Sequence, residues 1–356
     1  MYIVIMAGGS GTRFWPASKE DYPKQFLNII SDKSLIEETF CRVKSLVKKE
    51  ENIILVINQI HKEITEKIFK KHNVKIIVEP FSRNTAACIG LAAMHIKKEA
   101  GNAPFIVMPA DHFIANHKAF KSILQVAANS LKDNQINTIG IVPTRPETAY
   151  GYIELGKKIA RIKDITLYKV KKFVEKPDMK KAASFLYQGN HLWNTGIFAF
   201  KTNTILKEIH TFLPDLYNGL TKIENSIGTE KYDAVLKNVY EKFESVSIDY
   251  GILEKTKTSI CALKGDFGWS DVGSWQSLYL LRLNEMDSSG NILDCNGLNM
   301  ECKNIFVFSR SNRLITTLGL KDTLIVDMPD TLLVADINKS QDVRKIVEEL
   351  KKKEKL

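Results

Sequence analysis

Short, continuously apolar runs alternate with helical patterns over the first 150 residues. The runs YIVIMA (Tyr2–Ala7), NIILVIN, VKIIVEP, PFIVMPAD and TIGIVP are rich in β-branched residues, as expected of strands buried on both faces of a sheet. Between them lie stretches of helical period. SLIEETFCRVKSLVKK opens at Ser34, a capping residue, and sets Leu35, Phe40, Val43 and Val47 on or near one stripe. RNTAACIGLAAMHIKKEAG is alanine-rich and stops at Gly101. Repeated strand, helix, strand predicts right-handed crossovers and an α/β fold, a Rossmann-like mixed, mostly parallel sheet flanked by helices.

From about Tyr150 the rhythm changes to shorter strands and irregular segments such as YGYIEL, KVKKFVEKP and WNTGIFAF. Helices are expected around residues 178–188, 203–210, 230–238 and 274–285. A break rich in Asp, Ser and Gly, NEMDSSGN, follows at 284–291. Beyond it NIFVFS, RLITTLG, DTLIVDMP and TLLVADI read as short strands spaced by turns, and a charged helix begins near Ser340. The expected division is a catalytic domain over 1–286 and a small β-rich domain over 287–356 that ends in a helix. No clean repeat of 20 to 50 residues is visible, so a short β-helix there would have degenerate coils.

A chain of 356 residues buries a substantial core. No apolar stretch approaches the roughly 20 residues that cross a bilayer, and the first strand starts at Tyr2 with no leader before it. A cytoplasmic protein without a membrane partner is expected. Five scattered cysteines show no CxxC pair, which argues against a disulfide framework or a zinc site. The net charge of +10 invites an anionic partner. Its lysines are spread over helix faces and the tail, however, and no basic stripe with interleaved aromatics marks a nucleic-acid binder.

The candidate chemistry begins behind the first strand, in AGGSGTRFWP. A turn at the carboxyl end of a strand lies where open α/β sheets bind ligands. Glycines there let backbone amides approach phosphate oxygens, so Gly8, Gly9, Ser10 and Gly11 form a candidate cradle. Two familiar phosphate loops fail on spacing. Walker A needs Lys directly after its last Gly, where Thr12 stands, and a dinucleotide fingerprint would need its third Gly at Phe14. Asp111 follows a buried strand in PADHFI and suits a metal ligand at the same sheet edge, with Asp271 of GDFGWSDVGSW as a second carboxylate for Mg2+. Taken singly, each also suits a turn, a cap or a surface ion pair.

The stretch GGSGTRFWPASKEDYPK, with Arg13 just past the glycines and Lys24 behind Pro23, resembles the N-terminal signature of sugar-1-phosphate nucleotidylyltransferases, GGxGxR(L/F)xP followed by PK. The order of all these segments is similar to that of the bacterial mannose-1-phosphate guanylyltransferases over at least residues 1–285. The resemblance implies a nucleotide-diphospho-sugar transferase fold, and GTP and mannose 1-phosphate as substrates with Mg2+ as cofactor. Arg13 and Lys24 would brace the triphosphate. In FVEKP, Glu175 would accept hydrogen bonds from sugar hydroxyls and Lys176 would meet the sugar phosphate, with Gly151 and Asn194 beside the sugar ring. EPFSRNTAACIGLAA is similar to the stretch that separates this branch from its thymidylyl and uridylyl relatives, and it points to the base pocket. Guanine offers N–H donors, which Glu79, Asn84 and Thr85 would meet with oxygen acceptors.

One departure is that many bacterial members carry a fused cupin-like isomerase domain, for which this chain shows neither the length nor the clustered histidines. A transferase alone is therefore expected. Another base or hexose, or a non-catalytic nucleotide-sugar sensor, are the alternatives. Packing of the C-terminal piece, on the catalytic domain or in a homodimer, is left open.

Overall fold

Each of the five apolar runs forms a strand: Tyr2–Ala7, Ile53–Asn58, Lys75–Glu79, Pro104–Pro109 and Gln135–Ile141. The computed structural model describes residues 1–9 and 11–353. They fold as two compact units. Unit 1 contains Met1–Gly8, Glu37–Ala110 and Ile114–Trp269; unit 2 contains Gly9–Ile36, Asp111–Phe113 and Ser270–Leu356.

Unit 1 is built on a nine-stranded mixed sheet. In spatial order its strands are Lys75–Glu79, Ile53–Asn58, Tyr2–Ala7, Pro104–Pro109, His191–Lys201, Gln135–Ile141, Ser259–Gly265, Ile165–Val174 and Tyr152–Ile162. The first four are parallel to one another. His191–Lys201 runs antiparallel to both of its neighbours, Pro104–Pro109 and Gln135–Ile141. It also pairs with Tyr152–Ile162, so the last five strands in this order close a ring. Closure leaves fewer open edges for unwanted pairing.

Ile3, Val4, Ile5 and the run Ile53–Ile57 are fully buried, which explains why these strands lack polar alternation. Helix Asn84–Ala100 is buried from Ala86 to Ile96 without interruption. Its small side chains let helices Thr202–Phe212 and Pro214–Ser226 pack closely, and a Cβ on Gly90 would lie 2.4 Å from Leu220 Cδ1. The parallel strands all end at one edge, where they deliver Gly8 and Glu79.

Two elements depart from the expectation. Residues 152–174 form one long hairpin, Tyr152–Ile162 and Ile165–Val174, where short strands and irregular chain were expected. Its outer half is exposed, so Lys157, Lys158 and Arg161 stand where apolar residues would otherwise mark a strand. The helix Pro214–Ser226 was also not expected. It starts with Pro at its first position, a standard helix opener, but its apolar stripe is thin.

Unit 2 gathers the β-rich C-terminal stretch with two segments distant from it in sequence. Ile292–Asp294, Phe306–Ser309 and Thr323–Asp327 stack in parallel, Leu332–Asp336 adds antiparallel, and Gly297–Met300 pairs in parallel with Ile315–Leu318. This is a short β-helix-like stack. Ile292 pairs with Phe306 and Phe306 with Leu324, offsets of 14 and 18 residues, so no constant period appears in the sequence. Its core holds Phe14, Trp15, Leu35, Val272, Trp275, Phe306, Phe308, Leu324 and Val326, closed by Val343 and Val347 of the final helix. Trp275 is fully buried and its indole Nε1 donates to the Trp15 carbonyl at 3.2 Å, so this large side chain leaves no orphan donor. Among the described residues no helix is long and apolar enough to cross a membrane.

Candidate functional site

The charged cluster of unit 2 grows from the turn after the first strand. Gly11 has φ 43°, a left-handed conformation, and a Cβ there would come within 2.7 Å of the Lys24 backbone nitrogen. Glycine is needed for both reasons. The short turn Thr12–Phe14 then buries Phe14 in the unit 2 core and leaves Arg13 exposed, with Nη1 3.5 Å from the Gly273 carbonyl. Gln25 Nε2 donates to the Gly9 carbonyl at 3.0 Å, which ties the turn Lys24–Phe26 to the glycines. Ser10 lies outside the described residues.

Lys24 is buried, with a relative exposure of 7%. Its Nζ donates to Asp111 Oδ2 at 2.8 Å and to the Asp271 carbonyl at 2.5 Å. An ammonium removed from water needs such partners. Burial pushes the Asp111 carboxyl up, but Lys24 and His112 outweigh it and hold Asp111 below the usual carboxylate range. Asp271 precedes Val272, a buried β-branched residue at φ 46°. Backbone strain of this kind costs roughly 1–3 kcal/mol and persists where the surroundings impose it. Here the Ser270 hydroxyl accepts from the Val272 amide at 3.1 Å, and the Val272 side chain fills the core.

Unit 1 carries two further clusters. In the first, Gly151, Glu175, Lys176, Asn194 and Asp249 meet. A Cβ on Gly151 would lie 2.4 Å from Glu175 Oε2 and 3.2 Å from Asn194 Cβ, so a larger residue would displace the Glu175 carboxylate. Glu175 Oε1 accepts from Lys176 Nζ at 2.7 Å, and the Glu175 amide donates to Glu254 Oε1 at 2.8 Å. Asn194 Nδ2 donates to Asp249 Oδ1 at 3.1 Å, while its Oδ1 accepts from the Gly196 amide. That network sets the amide's orientation. Burial first, then the neighbouring Glu175 charge, push the Asp249 carboxyl up to about 7. Burial lowers the Lys176 pKa, but Glu175, Tyr250 and Asp249 together raise it further.

The second cluster surrounds Glu79, buried at the end of its strand. Tyr240 donates from its hydroxyl to Glu79 Oε1 at 2.5 Å, and Oε2 approaches Gly8, where a Cβ would lie 2.9 Å away. Burial raises the Glu79 carboxyl to about 7 against the hydrogen bonds of Tyr240 and Cys88. Asn84 and Thr85 are partly committed to the fold. Asn84 Oδ1 accepts from the Thr85 amide at 2.8 Å, and Thr85 Oγ1 accepts from the Ile248 amide at 2.8 Å. Arg83 donates to the Tyr240 and Glu241 carbonyls, satisfying the end of helix Tyr232–Tyr240.

Asp249, Glu254 and Tyr240 were not singled out from the sequence. Asp249 and the residues behind it form a π-helical turn, Asp249–Leu253, a feature often found at functional sites but carrying no sequence signal of its own. Glu254 and Tyr240 reach their partners only through tertiary folding.

A family profile described as nucleotidyl transferase matches residues 2–287. The chain belongs to the nucleotidyl transferase family. A second profile, described as a MannoseP isomerase/GMP-like beta-helix domain, matches residues 296–350. The chain is 35% identical over 357 residues to a mannose-1-phosphate guanylyltransferase of Escherichia coli (strain K12), covering 99% of this chain and 73% of the relative. It is 37% identical over 358 residues to mannose-1-phosphate guanylyltransferase 2 of Escherichia coli O157:H7, covering 98% and 73%. A solved structure from Thermus thermophilus, titled a mannose-1-phosphate geranyltransferase, matches with a TM-score of 0.86 at 30% identity, covering 98% of this chain and 99% of that one. As a nucleotidyl transferase, the chain has a large mixed sheet flanked by helices and a β-helix-like C-terminal part.

Proposed function

We propose that this nucleotidyl transferase moves GMP from GTP to α-D-mannose 1-phosphate. An oxygen of the sugar phosphate attacks the α-phosphorus in line, the bond to the β-phosphate oxygen breaks, and GDP-mannose and pyrophosphate result. The observation that carries the reading is the meeting of the Lys24 ammonium with the Asp111 carboxylate and the Asp271 main-chain carbonyl beside the glycine turn. Relatives named for this activity at 35% and 37% identity support it. The two profile matches also support a catalytic domain over 1–286 followed by a β-rich domain over 287–356.

A phosphate monoester is already nucleophilic at neutral pH, so no general base is required. Charge is the obstacle. Two like unit charges about 4 Å apart repel by roughly 4 kcal/mol at an effective dielectric near 20, and the reactants bring several such pairs together. The Asp111 carboxylate suits a hard divalent cation, because it already holds a cationic group, the Lys24 ammonium, to which Asp271 offers its main-chain carbonyl. Mg2+ takes one or two carboxylates and fills its shell with water and substrate phosphate. When bound, Mg2+ neutralises phosphate charge and polarises a phosphoryl oxygen.

The chain's own residues supply the rest. Exposed Arg13 braces the phosphates where charge develops, and amides of the glycine turn donate beside it. Lys24 adds a second positive charge. In unit 1, Lys176 holds the attacking phosphate, while Glu175 and Asp249 accept from sugar hydroxyls with Asn194 fixed between them. Glu79, with Asn84 and Thr85 nearby in sequence, meets the guanine donors.

The test is pyrophosphate release with Mg2+, each nucleoside triphosphate being crossed with the mannose, glucose and N-acetylglucosamine 1-phosphates. GTP with mannose 1-phosphate should give the highest kcat/KM. A clear preference for another pair, or no release with any, would overturn the assignment.

A further inference from the structure

Lys24 holds two roles that exclude one another. As a phosphate-binding cation it belongs on the triphosphate, yet in this structure it is the cation of the aspartates, bound to Asp111 Oδ2 and to the Asp271 carbonyl. We propose that Lys24 is an exchangeable counter-cation, which must release Asp111 before a divalent ion can bind, so that metal and triphosphate favour one another. The inference rests on the reading of Asp111 and Asp271 as the metal ligands.

Two features make the exchange specific. The Lys24 backbone is fixed, because its amide nitrogen packs against Gly11 and its turn is tied to Gly9 through Gln25. The ammonium therefore leaves by rotation of its flexible four-carbon stem while the turn stays in place. Lys24 is also buried, so release from Asp111 leaves a poorly hydrated positive charge unless a new anion receives it. A triphosphate is that anion. Linkage makes the effect reciprocal: whatever tightens nucleotide binding by vacating Asp111 tightens metal binding by the same factor.

The experiment measures Mn2+ binding by the loss of its free-ion electron paramagnetic resonance signal, with the intact chain and no nucleotide. The variants are K24M, K24Q, K24R, D111N and the double variant K24M/D111N, each checked for folding by thermal melting. Removing the resident charge should tighten Mn2+ binding about tenfold in K24M and K24Q, within the range usual for coupled sites. K24R, which keeps the charge, should stay near wild type. D111N should weaken binding in both backgrounds.

The outcomes separate the two claims. If K24M and K24Q bind Mn2+ no tighter than wild type while D111N still weakens it, Asp111 is a metal ligand and the exchange is overturned. If K24M/D111N binds as tightly as K24M, the ion does not use Asp111 and the metal reading itself fails. Should one neutral variant not fold, the other carries the comparison.

Discussion

Carboxylates behave in opposite ways in the two units. In unit 2 Asp111 faces a buried ammonium and is held below the usual range. In unit 1 Glu79 is enclosed without such a cation, Asp249 has one in Lys176 that burial and Glu175 outweigh, and both rise to about 7. Glu79 has a phenol and a thiol as neighbours; Asp249 has an amide, the like charge of Glu175 and the opposing charge of Lys176. Residue type does not decide the outcome; the partner does. Unit 2 sets charge against charge at Lys24 and Asp111. In unit 1 Glu79 and Asp249 instead accept from neutral donors, the Tyr240 hydroxyl and the Asn194 amide.

The largest effects should come from unit 2. Arg13→Ala and Asp111→Ala are each expected to lower turnover in the pyrophosphate assay by about two orders of magnitude or more, equivalent to ~2.7 kcal/mol. Near-wild-type rates in a folded variant would break the assignment of charge handling to this cluster. An intermediate effect is expected at Glu79. Glu79→Gln replaces an acceptor by an amide and should reduce the preference for GTP over UTP, measured as a ratio of kcat/KM, by about tenfold or more. Unchanged discrimination would move the base pocket elsewhere.

The smallest effect tests the pKa contrast directly. Asp249 titrates at about 7 in the folded chain against about 4 when unfolded, so across that window the folded state keeps a proton that the unfolded state has lost. Its contribution to stability falls as pH rises from about 4 to about 7. Asp249→Asn should therefore melt above wild type at pH 8, by ~2 °C, with the gap closing near pH 4. Asp111 has the opposite sign. Its lowered pKa adds stability that is present above the ordinary carboxylate range and is lost as pH falls through its folded value, so Asp111→Asn should melt below wild type at pH 7 and converge with it in acid. Melting curves over pH in which both variants shift alike would erase the distinction between the units.

Much of unit 1 was legible because its strands are uniformly apolar and its long helix ends at a glycine. The exposed half of the hairpin and the helix Pro214–Ser226 were not, since charged or sparse patterns there satisfy several local structures equally. The irregular 14 and 18 residue offsets hid the coils of unit 2. At the site, Gly11 is required by its left-handed backbone, Arg13 stood out through the resemblance carried by GGSGTRFWP, and Asp111 through its place just after a buried strand. Asp249 did not, because nothing local marks an acid in a π-helical turn.

The amino-acid order alone determined the strand and helix rhythm, the phosphate-type turn and the residues able to carry charge, since each depends on neighbours a few positions away. Tertiary structure alone decided which charges meet. Lys24 reaches Asp111 across 87 positions, Asp271 across 247, and Tyr240 reaches Glu79 across 161. A pKa is set by the dielectric and by charges within a few ångströms, and only the folded chain fixes what lies that close.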